Sequence, residues 1–141
     1  MKDDNCIFCK IAAGEIPSKT LYEDEMFRVI LDLGAASKGH ALILPKNHYA
    51  NLMELDEKTG AGVLPLAGKI SRAMMKSLKC DGLNLVQNNG EEAGQTVMHF
   101  HLHMIPRYKG GEEVIGWKPG NPTAEELEET ADVIRGALQS L

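Results

Sequence analysis

No stretch of the chain approaches the roughly 20 consecutive apolar residues needed to cross a bilayer, so no membrane partner is expected. The formal net charge of -5 comes without any cluster of Lys and Arg. That excludes the broad phosphate-backbone footprint of a protein that binds nucleic acid polymers, while a small phosphate ligand stays possible. The polar start Met1-Lys2-Asp3-Asp4-Asn5 leads into no apolar h-region and resembles no secretory signal, so the expected location is cytoplasmic. There are only three cysteines, two of them spaced Cys6-x-x-Cys9, which suits a reduced compartment where the pair binds metal or does redox work. No repeat, linker or low-complexity segment marks a boundary, so the 141 residues are read as one domain, 1–141. Hydrophobic content of 43% and charged content of 25% are ordinary for a globular chain with a core.

Turn residues divide the chain. Gly14-Glu15-Ile16-Pro17-Ser18 breaks the first ordered stretch, and a short strand begins at Leu21. Met26 to Leu31 reads as a strand ending at Asp32, and His40 to Leu44 as another stopped by Pro45, two antiparallel neighbours joined by the loop Gly34 to Gly39. From Asp56 to Lys79, Val63, Leu66, Ala67, Ile70, Met74 and Leu78 recur at helical spacing and predict the main helix. Gly60, Gly62 and Pro65 predict a break or restart near Gly62. Leu83 to Gln87 reads as a strand before the turn Asn88-Asn89-Gly90. Arg107 to Pro122 is a long loop carrying the only tryptophan, Trp117. Thr123 to Glu126 has capping-box spacing, and Leu127, Ala131, Ile134 and Leu138 continue a terminal helix.

Between turn and loop, His99, His101 and His103 take alternate positions, three of the chain's five histidines. On a strand they line one face, with Phe100, Leu102 and Met104 on the other. Such a row admits three readings: core or surface histidines, a tri-histidine metal site in a zinc-catalysed hydrolase, or an acid/base and nucleophile array. Cys6 and Cys9 with two imidazoles would close a tetrahedral zinc site, and His48 with one histidine of the row could complete it. No helix clearly opens at Cys6 and no βαβ unit surrounds it, so a thioredoxin-like pair is disfavoured. A free imidazole attacks phosphorus through its unprotonated nitrogen when the other nitrogen is fixed by a hydrogen bond. The preceding loop, Gly90 to Thr96, offers glycines, an amide and a hydroxyl for phosphate oxygens.

His99-Phe100-His101-Leu102-His103-Met104-Ile105 resembles the H-φ-H-φ-H-φ-φ signature of the histidine triad (HIT) superfamily at every position. The likeness extends through Phe8-Cys9-Lys10-Ile11, Gly14 to Pro17, Asp32, Gly39 to Lys46, His48, Asn88 and Gly94-Gln95-Thr96-Val97, and covers roughly residues 5 to 108. It implies an α+β fold, an antiparallel sheet of about five strands with the main helix packed on it; the C-terminal loop and helix of 109–141 lie outside the resemblance and rest on the spacing above.

The resemblance further implies a hydrolase or transferase that cleaves at the α-phosphorus of nucleoside phosphate derivatives, either dinucleoside polyphosphates or nucleoside phosphoramidates. His101 would be the nucleophile, His103 would bind phosphate oxygens, His40 would stand beside the nucleophile, and Gln95 and Thr96 would lie near the phosphate and leaving group. Asp32 would accept the ribose hydroxyls. Phe8, Ile11, Ile30 and Leu33 would form an apolar slot for a purine base, with Asn88, Gly94 and Val97 completing the nucleotide site. Cys6, Cys9, His48 and His99 correspond to ligands of a structural Zn2+, and members commonly pair as homodimers through the main helix and an adjacent strand. The alternatives are a nucleotide-binding interaction module with little turnover and the zinc-catalysed hydrolase.

Overall fold

The computed structural model describes residues 1–141. Its centre is a five-stranded, wholly antiparallel sheet built from β1 (Thr20–Glu23), β2 (Phe27–Leu31), β3 (Ala41–Pro45), β4 (Gly82–Val86) and β5 (Leu102–Arg107), in the order β1-β2-β3-β5-β4. The central β3 is buried at every residue, Ala-Leu-Ile-Leu-Pro, because both faces of the sheet are covered there. Ala41 and Ile43 join Phe27, Val29, Leu102 and Met104 beneath the long helix α2 (Glu57–Leu78). Leu42 and Leu44 point the opposite way and pack with Ile30 and Ala12 beneath the short helix α1 (Ile7–Ala12). Strand alternation thus divides the sheet into a core face and a face that α1 only partly covers.

Three expectations are corrected. The α2 helix is continuous, with Pro65 inside it and no restart at Gly62. Its start is set at Asp56, whose side chain accepts a hydrogen bond from the Thr59 N–H at 2.7 Å. Gly62 serves close approach: a Cβ there would stand 3.2 Å from the Phe27 ring, so the missing side chain lets the helix settle onto the sheet. Pro65 sits on the exposed side. Its cost of about 3 kcal/mol is outweighed by burial of Val63, Leu66, Ile70 and Met74, at roughly 1.5–3 kcal/mol each.

The second correction concerns the histidine row. The β5 ladder begins only at Leu102, so His99 and His101 precede it. Proline closes β3 and the Pro45 carbonyl is taken by the His99 ring, while the Phe100 N–H bonds to the Tyr49 carbonyl at 2.6 Å. Alternation of sides survives even so, with Phe100 in the core and His99 and His101 outside it. Thirdly, a helix does open at Cys6, which caps α1 by accepting from the Cys9 N–H at 3.4 Å. Sulfur is outside the usual set of capping side chains, which is why the start carries no recognisable signal.

The terminal helix α3 (Ala124–Leu138) has its full capping box: Thr123 Oγ1 accepts from the Glu126 N–H and the Glu126 carboxylate accepts from the Thr123 N–H. It buries no residue, leaving Leu127, Ile134 and Leu138 exposed. No helix of the chain is long and apolar enough to cross a membrane.

Candidate active site and metal centre

A cleft of about 480 Å³ opens on the α1 side of the sheet. Phe8 and Ile11 form one wall, Ile30, Asp32 and Leu33 from the end of β2 another, and Thr96, His101 and His103 the polar end. These eight residues, predicted from separate parts of the chain, are brought together. The cleft also takes in Ile7, Pro17, Ser18, Lys19, Leu31 and Leu42, which sequence reasoning missed. Leu42 was detectable in principle, since it pairs with His103 across β3 and β5 and therefore shares its face. Pro17 and Ser18 are legible only as part of a turn and Lys19 carries no local signal; all three arrive at the cleft through the chain reversal after α1.

Asn88, Gly94, Gln95 and Val97 do not line the cleft. Gln95 is 2% exposed and turned inward: its Oε1 accepts from the Gly90 N–H at 2.8 Å, and its Nε2 donates to the carbonyls of Ala50 and Val97 at 2.7 and 3.0 Å. The amide orders the loop before the histidines. Gly90 and Gly94 make the loop's reversal possible with φ near 90°, where side chains are strained, and Asn88 packs against Gly94.

Backbone partners decide the tautomer of each key imidazole. His101 Nδ1 lies 2.6 Å from the His99 carbonyl, which can only accept, so Nδ1 carries the proton and Nε2 holds the free lone pair. The Ala36 N–H donates to His40 Nδ1 at 2.9 Å, so His40 bears its proton on Nε2. That proton is donated to His103 Nδ1 at 2.9 Å, with the Asp32 carboxylate 3.5 Å away on the same side. His103 therefore keeps its own proton on Nε2, as a donor for an incoming ligand. Burial depresses the His40 pKa against the pull of Asp32, and the His101 pKa against the hydrogen bond to the His99 carbonyl and then Asp32. Burial first, then the neighbouring His101 and His40, lowers His103 to about 4. All three rings are neutral near pH 7.

Behind this array, Cys6, Cys9, His48 and His99 present donor atoms that all lie within 4.8 Å of one another. Cys6 Sγ is 3.4 Å from His99 Nδ1, and Cys9 Sγ is 3.4 Å from His48 Nδ1 and 3.5 Å from His99 Nδ1. Tetrahedral zinc with its usual bond lengths places S and N ligands about 3.6 Å apart, so the donors are spaced for it. His99 Nε2 donates to the Pro45 carbonyl at 2.9 Å, which leaves Nδ1 unprotonated and aimed at the sulfurs. Burial pushes the Cys9 thiol pKa up and lowers His99 to about 4, and a bound cation would offset the thiolate cost. Cys6, Cys9, His48 and His99 could hold a metal. Four ligands close its coordination shell, so its part would be to tie α1 to the sheet.

The family described as HIT domain matches residues 13–110. An adenosine 5'-monophosphoramidase from Schizosaccharomyces pombe is 38% identical over 138 residues, covering 96% of this chain and 99% of that protein. The crystal structure of SMU.412c from Streptococcus mutans superposes with a TM-score of 0.93 at 41% identity, covering 97% of this chain and 87% of the other. A zinc-bound histidine triad family protein from Mycobacterium smegmatis gives a TM-score of 0.73 at 34% identity, covering 94% and 97%.

Proposed function

This chain belongs to the HIT domain family, and on that premise we propose that it is a nucleotide hydrolase or transferase working through a nucleotidyl-His101 intermediate. The observation that carries the proposal is the 2.6 Å contact between His101 Nδ1 and the His99 carbonyl, which leaves Nε2 unprotonated in the cleft. A purine nucleoside phosphate derivative lies with its base in the slot of Phe8, Ile11, Ile30 and Leu33 and its ribose hydroxyls on Asp32. The phosphate oxygens face Thr96 and the Nε2–H of His103. His101 Nε2 attacks the α-phosphorus, the P–O or P–N bond breaks as the departing oxygen or nitrogen takes up a proton from solvent, and Nδ1–H stays on the His99 carbonyl to steady the imidazolium formed. Water then cleaves the new P–N bond, releasing the nucleoside monophosphate and restoring neutral His101.

The name of the fission yeast relative supports a phosphoramidate substrate, whose leaving group is an amine. Zinc held by Cys6, Cys9, His48 and His99 would be structural because four ligands close its shell, and zinc as the metal is supported by the zinc-bound mycobacterial relative. The protein acts as a homodimer in the cytoplasm: β4 ends the sheet with a free edge, Leu64 and Met75 of α2 are exposed, and all three thiols are unpaired.

Mass spectrometry of enzyme quenched during turnover of adenosine 5'-phosphoramidate tests the mechanism. The expected result is one adenylyl group on His101. Product formed in a single turnover with no such adduct would refute it. His101→Ala should bind AMP within about threefold of wild type while turnover falls by at least roughly 10⁴, whereas a pure binding module would show little turnover to lose.

A further inference from the structure

The metal centre and the nucleotide cleft share a wall. Cys6 and Cys9 lie at the start of α1, and Phe8, between them in sequence, turns to the other side and lines the cleft. Its ring stands edge-on to His101 with centroids 4.9 Å apart at 83°, and edge-on to His99 at 6.1 Å. Ile7 and Ile11 of the same helix also face the cleft. At six residues, α1 is too short to persist on its own propensity, and only Cys9 and Ala12 are buried within it. Its attachment to the sheet has two parts, the packing of Phe8, Ile11 and Ala12 on Ile30, Leu42 and Leu44, and the tetrad that Cys6 and Cys9 share with His48 and His99. A second link runs through His99: its ring offers Nδ1 to the sulfurs, and its carbonyl accepts the proton that orients His101.

We infer that the Cys6-Cys9-His48-His99 centre and the nucleotide cleft are energetically coupled through Phe8 and His99, so that metal binding shapes the base wall and orients His101, and nucleotide binding in turn tightens metal. The inference rests on the nucleotide reading of the cleft. Phe8 and His99 are here positioning residues for His101. Coupling between binding sites is reciprocal, so the factor by which zinc raises nucleotide affinity must equal the factor by which nucleotide raises zinc affinity. The Asp32, His40 and His103 donors also lie close together, yet the His40 proton already occupies the His103 lone pair, so the coupled centre is the cysteine site.

The test uses the zinc-loaded, reduced, full-length protein, with Zn2+ and AMP as probes. Zinc equilibrates with a chromophoric chelator with and without saturating AMP, while calorimetry measures AMP affinity separately. Coupling of the usual size raises zinc affinity about fivefold or more. Phe8→Ala should cut that factor to below about twofold and leave zinc affinity without AMP within about threefold of wild type. A readout that simple stability would not move is the 15N spectrum of the His101 ring. It should show one protonated Nδ1 in the zinc-loaded protein and a mixture of tautomers when zinc is removed from protein whose sheet amides remain protected from exchange. AMP that binds well but leaves zinc affinity unchanged, or an equal effect in Phe8→Ala, overturns the inference and leaves the proposed function standing. Failure of AMP to bind at all overturns both.

Discussion

Replacing Asp32 should abolish the protein's ability to distinguish ribose from deoxyribose. The carboxylate sits at the end of β2 on the cleft wall, and its side chain is 23% exposed. Of its roughly four lone-pair positions, Oδ1 accepts from the Gly34 N–H at 2.8 Å, while Oδ2 stands 3.5 Å from His40 Nε2. Acceptor capacity therefore remains for a ribose hydroxyl. A hydrogen bond to an ionised acceptor is worth about 1.5–3 kcal/mol, so wild type should bind AMP roughly 10 to 150 times more tightly than 2'-deoxy-AMP. Asp32→Ala should bind AMP about as weakly as wild type binds the deoxy compound and should lose the distinction. Asp32→Asn gives no rescue, because an amide that keeps its oxygen toward Gly34 turns an NH2 group toward the His40 Nε2–H, donor against donor. Calorimetric titration of the three proteins with both nucleotides measures the full cycle. Equal affinity of wild type for both compounds, or discrimination retained by Asp32→Ala, refutes the assignment.

The depressed pKa values of His40 and His103 make the fold acid-sensitive. Below the ordinary histidine value of 6.5 the unfolded chain takes up protons that the native chain refuses until about pH 4 at His103, so stability falls as pH drops through that window and is unaffected by these groups above it. Urea midpoints measured at pH 5 and 7.5 should differ in that direction. Gly39→Ala forces a side chain into φ of +92° and against Leu78 Cδ1, for a cost of about 2–3 kcal/mol and a fall in melting temperature of roughly 6–10 °C by calorimetry. Gln95→Ala orphans the Gly90 N–H and two carbonyls, so about 2 kcal/mol of stability should go, together with a rise in KM, although the amide does not line the cleft.

Much of the architecture is visible in local patterns. The order of elements from β1 onward, the buried stripe from Val63 to Met74 and the Thr123 capping box all follow from spacing, because helix period and cap chemistry are short-range properties. Where local rules failed, a distant neighbour had decided the outcome. Gly62 and Pro65 look like a break until Phe27 is found beneath the helix, and Cys6 carries no cap signal because sulfur is not a usual capping group, yet its Sγ serves both the α1 backbone and the tetrad. The loop amide Gln95 reads as a phosphate-side residue, but in the fold its Nε2 donates to the carbonyl of Ala50, 45 residues away.

By itself, then, the sequence determined which imidazoles exist, that His101 and His103 share a side opposite Phe100, Leu102 and Met104, and which cysteines and histidines are chemically able to hold a metal. Alternation and composition are sufficient for that. Only the tertiary structure decided which nitrogen of each ring carries the proton, since that depends on the carbonyls of His99 and Pro45 and the N–H of Ala36, fixed dipoles whose position relative to each ring is set by the packed fold. The same packing placed Phe8 against His101 and so set four residues that could hold a metal beside the proposed nucleotide cleft, which the linear chain presents as separate motifs.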